Sequence, residues 1–361
     1  MNSPNSSTMV LETKQHYQVL DGLRGVAAIT VVIFHFMEIA IPNPAESFIT
    51  HAYLAVDFFF CLSGFVIAYA YDNRIQIIGI KSFLKLRLIR LHPLVVIGTI
   101  WGMIAFMVDP FSDLFTKYQP LFWPMLITSL LMIPYAVVPE RYFNIFHLNP
   151  PSWSLFWEYV GSIVYALILV RVGKKVLWTL AIVGAIALFI EAHHATNLGV
   201  GWSGDNFWGG GVRAFFPFVA GILVYRSGFV FRSKFGFLLP SLLLMIAFLI
   251  PFSTTYNWFV EPLVVILYFP LLLALGAGAV PGHRTEKVCT FFGEISYPLY
   301  MIHYPFIWIF FSYVQRYKPS LQEMSIITVA GTLLLIFLSY LVLVFIDKPI
   351  RQYLKRKIVL R

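Results

Sequence analysis

Long apolar segments recur along this chain and constrain its fold more than any other feature. Hydrophobic residues make up 59% of the 361 residues and charged residues only 12%, well below the roughly 25% charged residues of a soluble globular protein. A helix needs about 20 apolar residues to cross a bilayer, so the sequence predicts an all-α, polytopic membrane helix bundle. The candidate segments are residues 22–41, 52–71, 93–108, 123–138, 152–170, 176–190, 207–225, 235–252, 257–280, 288–311 and 325–346.

Clusters of Lys and Arg predict the topology, because such clusters favour the cytoplasmic side. They occur at residues 74–90, 171–175, 226–234, 284–287 and 348–357. Three apolar segments separate the first two clusters, yet a return to the same side needs an even number of crossings. Segment 123–138 carries Pro124 and Pro134, so we predict a re-entrant or broken segment there. About ten transmembrane helices remain, with both termini cytoplasmic.

This topology predicts one membrane domain, residues 18–350, between a polar cytoplasmic tail, 1–17, and a basic cytoplasmic tail, 351–361. The first 17 residues lack the pattern of a cleaved signal peptide. The net charge of +9 follows from the membrane topology, so no nucleic-acid partner is expected. Cys61 and Cys289 lack metal-ligand spacing, which predicts buried thiols and no metal site.

The first segment carries two ionisable residues, Arg24 in Leu20-Asp21-Gly22-Leu23-Arg24-Gly25 and His35 in Phe34-His35-Phe36. Eleven residues of helix separate them by about 16 Å and return them to one stripe. Two ionisable groups on one face of a membrane helix indicate a functional site. The alternative is a positive-inside anchor with a packed histidine.

The second segment contains Asp57 followed by Ser63-Gly64. A lone carboxylate in a membrane requires a partner, and an arginine or histidine on a neighbouring helix is the least costly one. The Ser-Gly pair is equally compatible with close helix packing and with a functional role.

Three further groups of polar residues accompany the later segments. Arg87 and Arg90, at i and i+3, could bind phosphates or simply flank the membrane. Ser154 and Glu158 lie one helical turn apart, and Glu158 is either an acid/base group or a structural partner for Arg213. The spacing of Ser296, Tyr300 and His303 places them on one helix face, although Pro298 could instead kink the helix. No role is assigned to three apparent boundary residues, Glu261, His193 and His194.

These motifs occur in one order that resembles the acyltransferase 3 family of bacterial membrane O-acyltransferases. The resemblance runs from about residue 18 to about residue 350, without the hydrolase-like domain that some members carry. It implies ten membrane helices with cytoplasmic termini, in the bacterial cytoplasmic (inner) membrane. It also implies transfer of an acyl group, expected to be acetyl, from a cytoplasmic acyl-CoA to a hydroxyl of a glycan or lipid-linked saccharide.

The resemblance also implies roles for individual residues. The catalytic set comprises His35, Arg24, Glu158 and Asp57, with His35 either a general base or the carrier of the acyl group. The acyl-CoA site comprises Arg24, Arg87 and Arg90. The acceptor site comprises Trp153, Ser154, Arg213, Tyr300 and His303. Acyl-CoA is thus a donor substrate, and no permanently bound cofactor is expected.

The rival interpretation is a secondary transporter or flippase whose buried charges relay protons or bind a solute. Such folds show paired interrupted helices in matching positions of two repeats. Here one proline-broken segment occurs without a counterpart, which favours the enzyme.

Overall fold

A computed structural model describes residues 16–359, with side chains up to residue 357. The predicted polar tail, residues 1–17, therefore lies almost entirely outside the described residues. Within the described range the chain is helical, and its β-pairing is limited to two isolated bridges, Asn144 with Ser203 and Ser233 with Ala279. The predicted helical membrane bundle is confirmed.

The helices alternate in direction along most of the chain. They are α1 Gln18–Ala40, α2 Ala55–Tyr71, α3 Ile75–Val108, α4 Leu114–Tyr118, α5 Phe122–Leu130, α6 Ser152–Val164, α7 Lys174–Ala195, α8 Phe207–Ser227, α9 Leu238–Phe248, α10 Asn257–Leu263, α11 Phe269–Gly278, α12 His283–Ile302, α13 Tyr304–Tyr317, α14 Leu321–Val342 and α15 Lys348–Val359. Short π-helical turns extend α6, join α10 to α11 and join α14 to α15. Residues 351–359, predicted as a tail, continue this last helix.

Among the described residues, eight helical stretches are long and apolar enough to cross a membrane. The eleven-residue α9 and the pair α12–α13 would bring the number to the ten predicted. Segment 123–138 contains only the nine-residue α5. The loop after it pairs with the loop before α8, where Ile145 N–H donates to Trp202 O (3.0 Å). This segment therefore does not cross the bundle, as its two prolines predicted.

The predicted single span 288–311 is divided at His303, between α12 and α13. Pro305 follows immediately, in the first turn of α13, where a missing N–H is tolerated. Pro298, the alternative site of a kink, lies inside α12. The break at His303 was not predicted, and it leaves the histidine at the helix junction.

Helices α1 and α12 run parallel and give the bundle two recognisable ends. Gln18 Nε2 donates to Glu286 Oε1 (2.8 Å) near their starts, and His35 stacks on His303 near their ends. We call these the basic end and the histidine end. The five Lys and Arg clusters flank helix ends at the basic end, because α3, α7, α9 and α12 start there and α15 lies there.

Helices α2 and α8 pack in very close contact. A Cβ added to Gly64 would lie 2.0 Å from Phe218 O, and one added to Gly221 would lie 1.9 Å from Cys61 O. Only glycine allows backbones to approach this closely. The packing interpretation of Ser63-Gly64 is thus confirmed. Cys61 and Cys289 are buried free thiols, as predicted.

Candidate active site

Arg24 projects from α1 towards α12 near the basic end. Its Nε donates to Ser296 Oγ (2.9 Å) and its Nη2 to Gly293 O (2.7 Å). Asp21, one turn earlier, forms an ion pair with it (2.9 Å), and the Arg24 side chain remains 24% exposed. The guanidinium is therefore fixed in position but accessible.

His35 lies near the other end of α1 and pairs with a carboxylate on its own helix. Its Nδ1 lies 2.6 Å from Glu38 Oε1, and the imidazole is 19% exposed. A carboxylate only accepts hydrogen bonds, so Nδ1 of the neutral ring carries the proton. The lone pair then resides on Nε2, which is the arrangement that a general base requires.

His303 stacks on His35, with ring centroids 5.4 Å apart and planes at 23°. It is fully buried. Its Nδ1 lies 2.9 Å from Tyr300 O, so Nδ1–H donates to that carbonyl. Its Nε2 is buried and has no hydrogen-bond partner among the described residues. Tyr304 contacts both imidazoles by ring edges.

The predicted polar face of α12 points into the bundle. Ser296 accepts from Arg24, the Tyr300 hydroxyl lies 2.8 Å from Ser154 Oγ, and His303 reaches His35. The i, i+4, i+7 spacing therefore placed these three side chains correctly. Together with α1 they form a polar line from the basic end to the histidine end.

Glu158 lies against arginine rather than histidine. Its Oε1 accepts from Arg87 Nη2 (2.5 Å) and from Ser63 Oγ (3.0 Å), and Arg87 Nε donates to Ser162 Oγ (3.2 Å). Ser63 therefore has a contact in this site as well as a place in the α2–α8 packing. The hypothesis that Glu158 pairs with Arg213 is wrong.

Arg90 differs from the other arginines near the basic end. It is exposed, and Arg24, Arg87, Glu158 and Arg351 lie close enough to interact electrostatically. Within residues 16–359 its guanidinium makes no hydrogen bond or ion pair. Arg24 and Arg87 each have a carboxylate partner, so Arg90 is the guanidinium best placed to bind an anion.

Asp57 and Arg213 form a buried bidentate pair. Arg213 Nη2 donates to Asp57 Oδ2 (2.6 Å) and Nε to Oδ1 (3.2 Å). Arg213 also donates to Val200 O (2.9 Å) and Tyr53 O (3.1 Å), and its guanidinium lies 5.1 Å from the Trp153 ring centroid. Asp57 thus has the arginine partner expected from its membrane position. The structure does not bring it to His35.

Sequence reasoning missed two groups of residues. Glu38 is the carboxylate partner of His35, and its i+3 spacing from His35 was a usable signal. Glu261 was assigned to a boundary, which is wrong: it is fully buried within α10. It accepts from Tyr53 OH (2.5 Å) and Leu198 N–H (2.6 Å), and lies 3.3 Å from His51 Nε2. The boundary assignment relied on Pro262, the next residue, because a proline often marks the end of a helix.

The fold defines a polytopic membrane protein with an internal line of polar side chains. The model of the acyltransferase 3 family, an acyltransferase domain, matches residues 17–345. The chain belongs to this family and is a membrane acyltransferase.

Several named proteins are similar to it. "Protein 2 in picA locus" of Rhizobium radiobacter is 35% identical over 49% of this chain and 95% of its own length. The acyltransferase MdmB of Streptomyces mycarofaciens is 27% identical over 79% of this chain and 77% of its own. A putative O-acetyltransferase of Staphylococcus aureus is 25% identical over 92% of this chain, which spans 57% of that protein. No solved structure matches.

Proposed function

We propose that this acyltransferase moves an acetyl group from acyl-CoA, bound at the basic end, to a hydroxyl of a saccharide at the histidine end. The polar line formed by α1 and α12 is the observation that carries this proposal. It joins an accessible arginine cluster to an imidazole with a carboxylate partner. The basic end is cytoplasmic in this proposal, since all five basic clusters flank it.

The arginine cluster suits the phosphates of CoA. Guanidinium groups form short, charge-assisted and often bidentate hydrogen bonds to phosphate oxygens. Within residues 16–359 no carboxylate forms a hydrogen bond or ion pair with Arg90, although Glu158 lies close enough to interact electrostatically, and Arg24 is partly exposed nearby. The pantetheine arm would extend from these phosphates along α1 and α12 and carry the thioester towards His35.

His35 acts as the general base in this proposal. Its Nε2 takes the proton of the acceptor hydroxyl while the hydroxyl oxygen attacks the thioester carbonyl carbon. The C–S bond breaks, and the CoA thiolate takes the proton from the imidazolium. The products are CoA and an O-acyl ester. Glu38 stabilises the imidazolium that forms between these steps, as carboxylates do for catalytic histidines.

Purified protein in vesicles with radiolabelled acetyl-CoA tests this function. Label is expected to reach a glycan or lipid-linked saccharide supplied on the opposite side. Movement of unmodified solute without label transfer would instead support the transporter. Mass spectrometry of cell-surface glycans, with and without the protein, is expected to show loss of an acetyl increment.

Replacement of Arg90 by glutamine is expected to raise the KM for acetyl-CoA by about tenfold or more, because a charge-assisted bond contributes roughly 1.5–3 kcal/mol. The KM for S-acetylpantetheine, which lacks the phosphates, should not change. Lys174→Gln, at an exposed basic residue of the same end, serves as the control. An unchanged KM for acetyl-CoA in Arg90→Gln, or an equal rise in the KM values of both donors, would contradict a phosphate contact.

Replacement of Glu38 by glutamine is expected to lower kcat with little change in either KM. We expect a loss of about tenfold or more, as part of the roughly 10²–10⁴-fold that a general base supplies. Glu46→Gln, at an exposed carboxylate just beyond α1, is the matched control. If Glu38→Gln kept the wild-type kcat, Glu38 would not position His35.

A further inference from the structure

A large pocket opens at the histidine end, away from the stacked imidazoles. Its volume is about 760 Å³. It is lined by the end of α7, the loop 196–206, the start of α8 and the loop that follows α5. All four elements lie at the end of the bundle where the proposed acceptor hydroxyl reacts.

One wall of the pocket is aromatic. Trp208 is 76% exposed, and its ring lies 5.2 Å from Phe207 and 6.1 Å from Trp157, centroid to centroid. Gly210 and Gly211 make room for Trp157, because a Cβ at either position would lie 2.5 Å and 2.7 Å from its indole. The exposed indole therefore belongs to a cluster of three aromatic rings in edge and tilted contact.

The rest of the pocket carries polar groups without protein partners. Within the described residues, Glu191, Asp205 and His194 make no side-chain hydrogen bond or ion pair. Glu191 is partly buried and lies against Gly209, where a Cβ would be 2.7 Å from Oε1. Asn206 Oδ1 accepts from Gly201 and Ser203 N–H groups, which fixes the loop and leaves its amide nitrogen available.

These groups identify the chemistry of a ligand. Two carboxylates without cationic partners accept hydrogen bonds from hydroxyls and repel phosphates, so the pocket does not suit CoA. An exposed indole offers a flat face for the apolar C–H surface of a sugar ring. Few ligands other than a saccharide combine a flat apolar face with many hydroxyl donors.

The pocket is connected to the reaction site by side chains. Val200 lines it, and the Val200 carbonyl accepts from Arg213, which lies over Trp153. Ser154, which follows Trp153 in the chain, forms a hydrogen bond through its hydroxyl with the Tyr300 hydroxyl. The Tyr300 carbonyl in turn accepts from His303 Nδ1–H. The buried Asp57–Arg213 pair therefore supports the pocket wall.

We propose that this pocket binds the saccharide part of the acceptor, with Trp208 stacking on a sugar ring and Glu191 and Asp205 accepting from its hydroxyls. The proposal rests on the proposed function, since it assigns a binding site to the acceptor of that reaction. It predicts preference for neutral over acidic sugars.

Binding of an array of neutral and acidic oligosaccharides to the full-length protein in detergent tests the pocket without donor or catalysis. Wild-type protein is expected to bind neutral members of the array, and Trp208→Ala to bind them roughly threefold to tenfold more weakly. Asp205→Asn should weaken the same binding and reduce the rejection of acidic members. Trp178→Ala, at an exposed tryptophan of α7 (58%), is the matched control.

The outcomes separate the pocket from the reaction. Absence of neutral saccharide binding, or equal binding by the Trp208→Ala and wild-type proteins, overturns the pocket. If the Trp208→Ala protein transfers acetyl in vesicles with the wild-type acceptor KM, the pocket assignment is overturned while the proposed function stands. Saccharide binding that needs Trp208, without any transfer from acetyl-CoA, supports the pocket and overturns the function.

Discussion

We expect His35→Ala to lower acyl transfer by about 10²–10⁴-fold, the contribution of a general base, while the protein still inserts and folds. The imidazole lies partly exposed at the histidine end of the polar line, and its Nδ1 is paired with Glu38, which leaves Nε2 as the basic nitrogen. Its removal loses the pair with the exposed Glu38 and the ring contacts with His303 and Tyr304, so a modest cost in stability is expected, which thermal unfolding in detergent measures.

The His35→Asn variant separates loss of the general base from loss of side-chain contacts at this position. Asparagine can still donate to Glu38, but it cannot take a proton near neutral pH. The activity of the His35→Asn protein should therefore fall as far as that of the His35→Ala protein. His193→Ala, at an exposed histidine ending α7, controls for loss of an imidazole as such. Wild-type acetylation by either His35 variant would refute the assignment.

The second large effect concerns stability. Asp57→Asn is expected to destabilise the folded protein by about 3–5 kcal/mol, because removal of one partner leaves a buried charge uncompensated. The direct contacts that remain to Arg213 are Val200 O, Tyr53 O and the Trp153 ring, and none of these carries a negative charge. The buried Glu261 interacts with Arg213 electrostatically without an ion-pair contact. Thermal unfolding in detergent measures the loss.

The double variant Asp57→Leu, Arg213→Met tests whether the charge or the contacts matter. It is expected to recover much of the stability, because it leaves no unpaired charge. It also loses the bond to Val200, so weaker saccharide binding should persist. Glu294→Gln breaks an exposed pair with Lys348 (2.9 Å) and should have a small effect. A single Asp57 variant as stable as this control would contradict the ion-pair argument.

Much of the fold was predictable because the signals are local. Each apolar segment must satisfy its own backbone hydrogen bonds in a membrane, so its composition alone dictates a helix. The helical period likewise predicted that Arg24 and His35 lie on one face of their helix, and that Ser296, Tyr300 and His303 lie on one face of theirs. Even the segment that does not cross was identified by its length, its prolines and the parity of basic clusters.

The pairing of charges was less predictable. Asp57 required an arginine, and the sequence offered several; the choice of Arg213 depends on the close contact of α2 with α8 through Gly64 and Gly221. Glu158 consequently pairs with Arg87. Such choices involve residues 71 and 156 positions apart, and helical periodicity carries no information about which helices become neighbours.

The sequence by itself therefore determined a helical membrane bundle, its one segment that does not cross, and a polar stripe with an arginine near one end and a histidine near the other. Only the tertiary structure decided that Glu261 is buried, that no carboxylate within residues 16–359 forms an ion pair with Arg90, and that a polar aromatic pocket opens beside α8. The physical reason is that helix formation and amphipathicity depend on neighbours a few residues away. Ion pairs and pockets arise where helices distant in sequence pack together, and their geometry depends on all the segments at once.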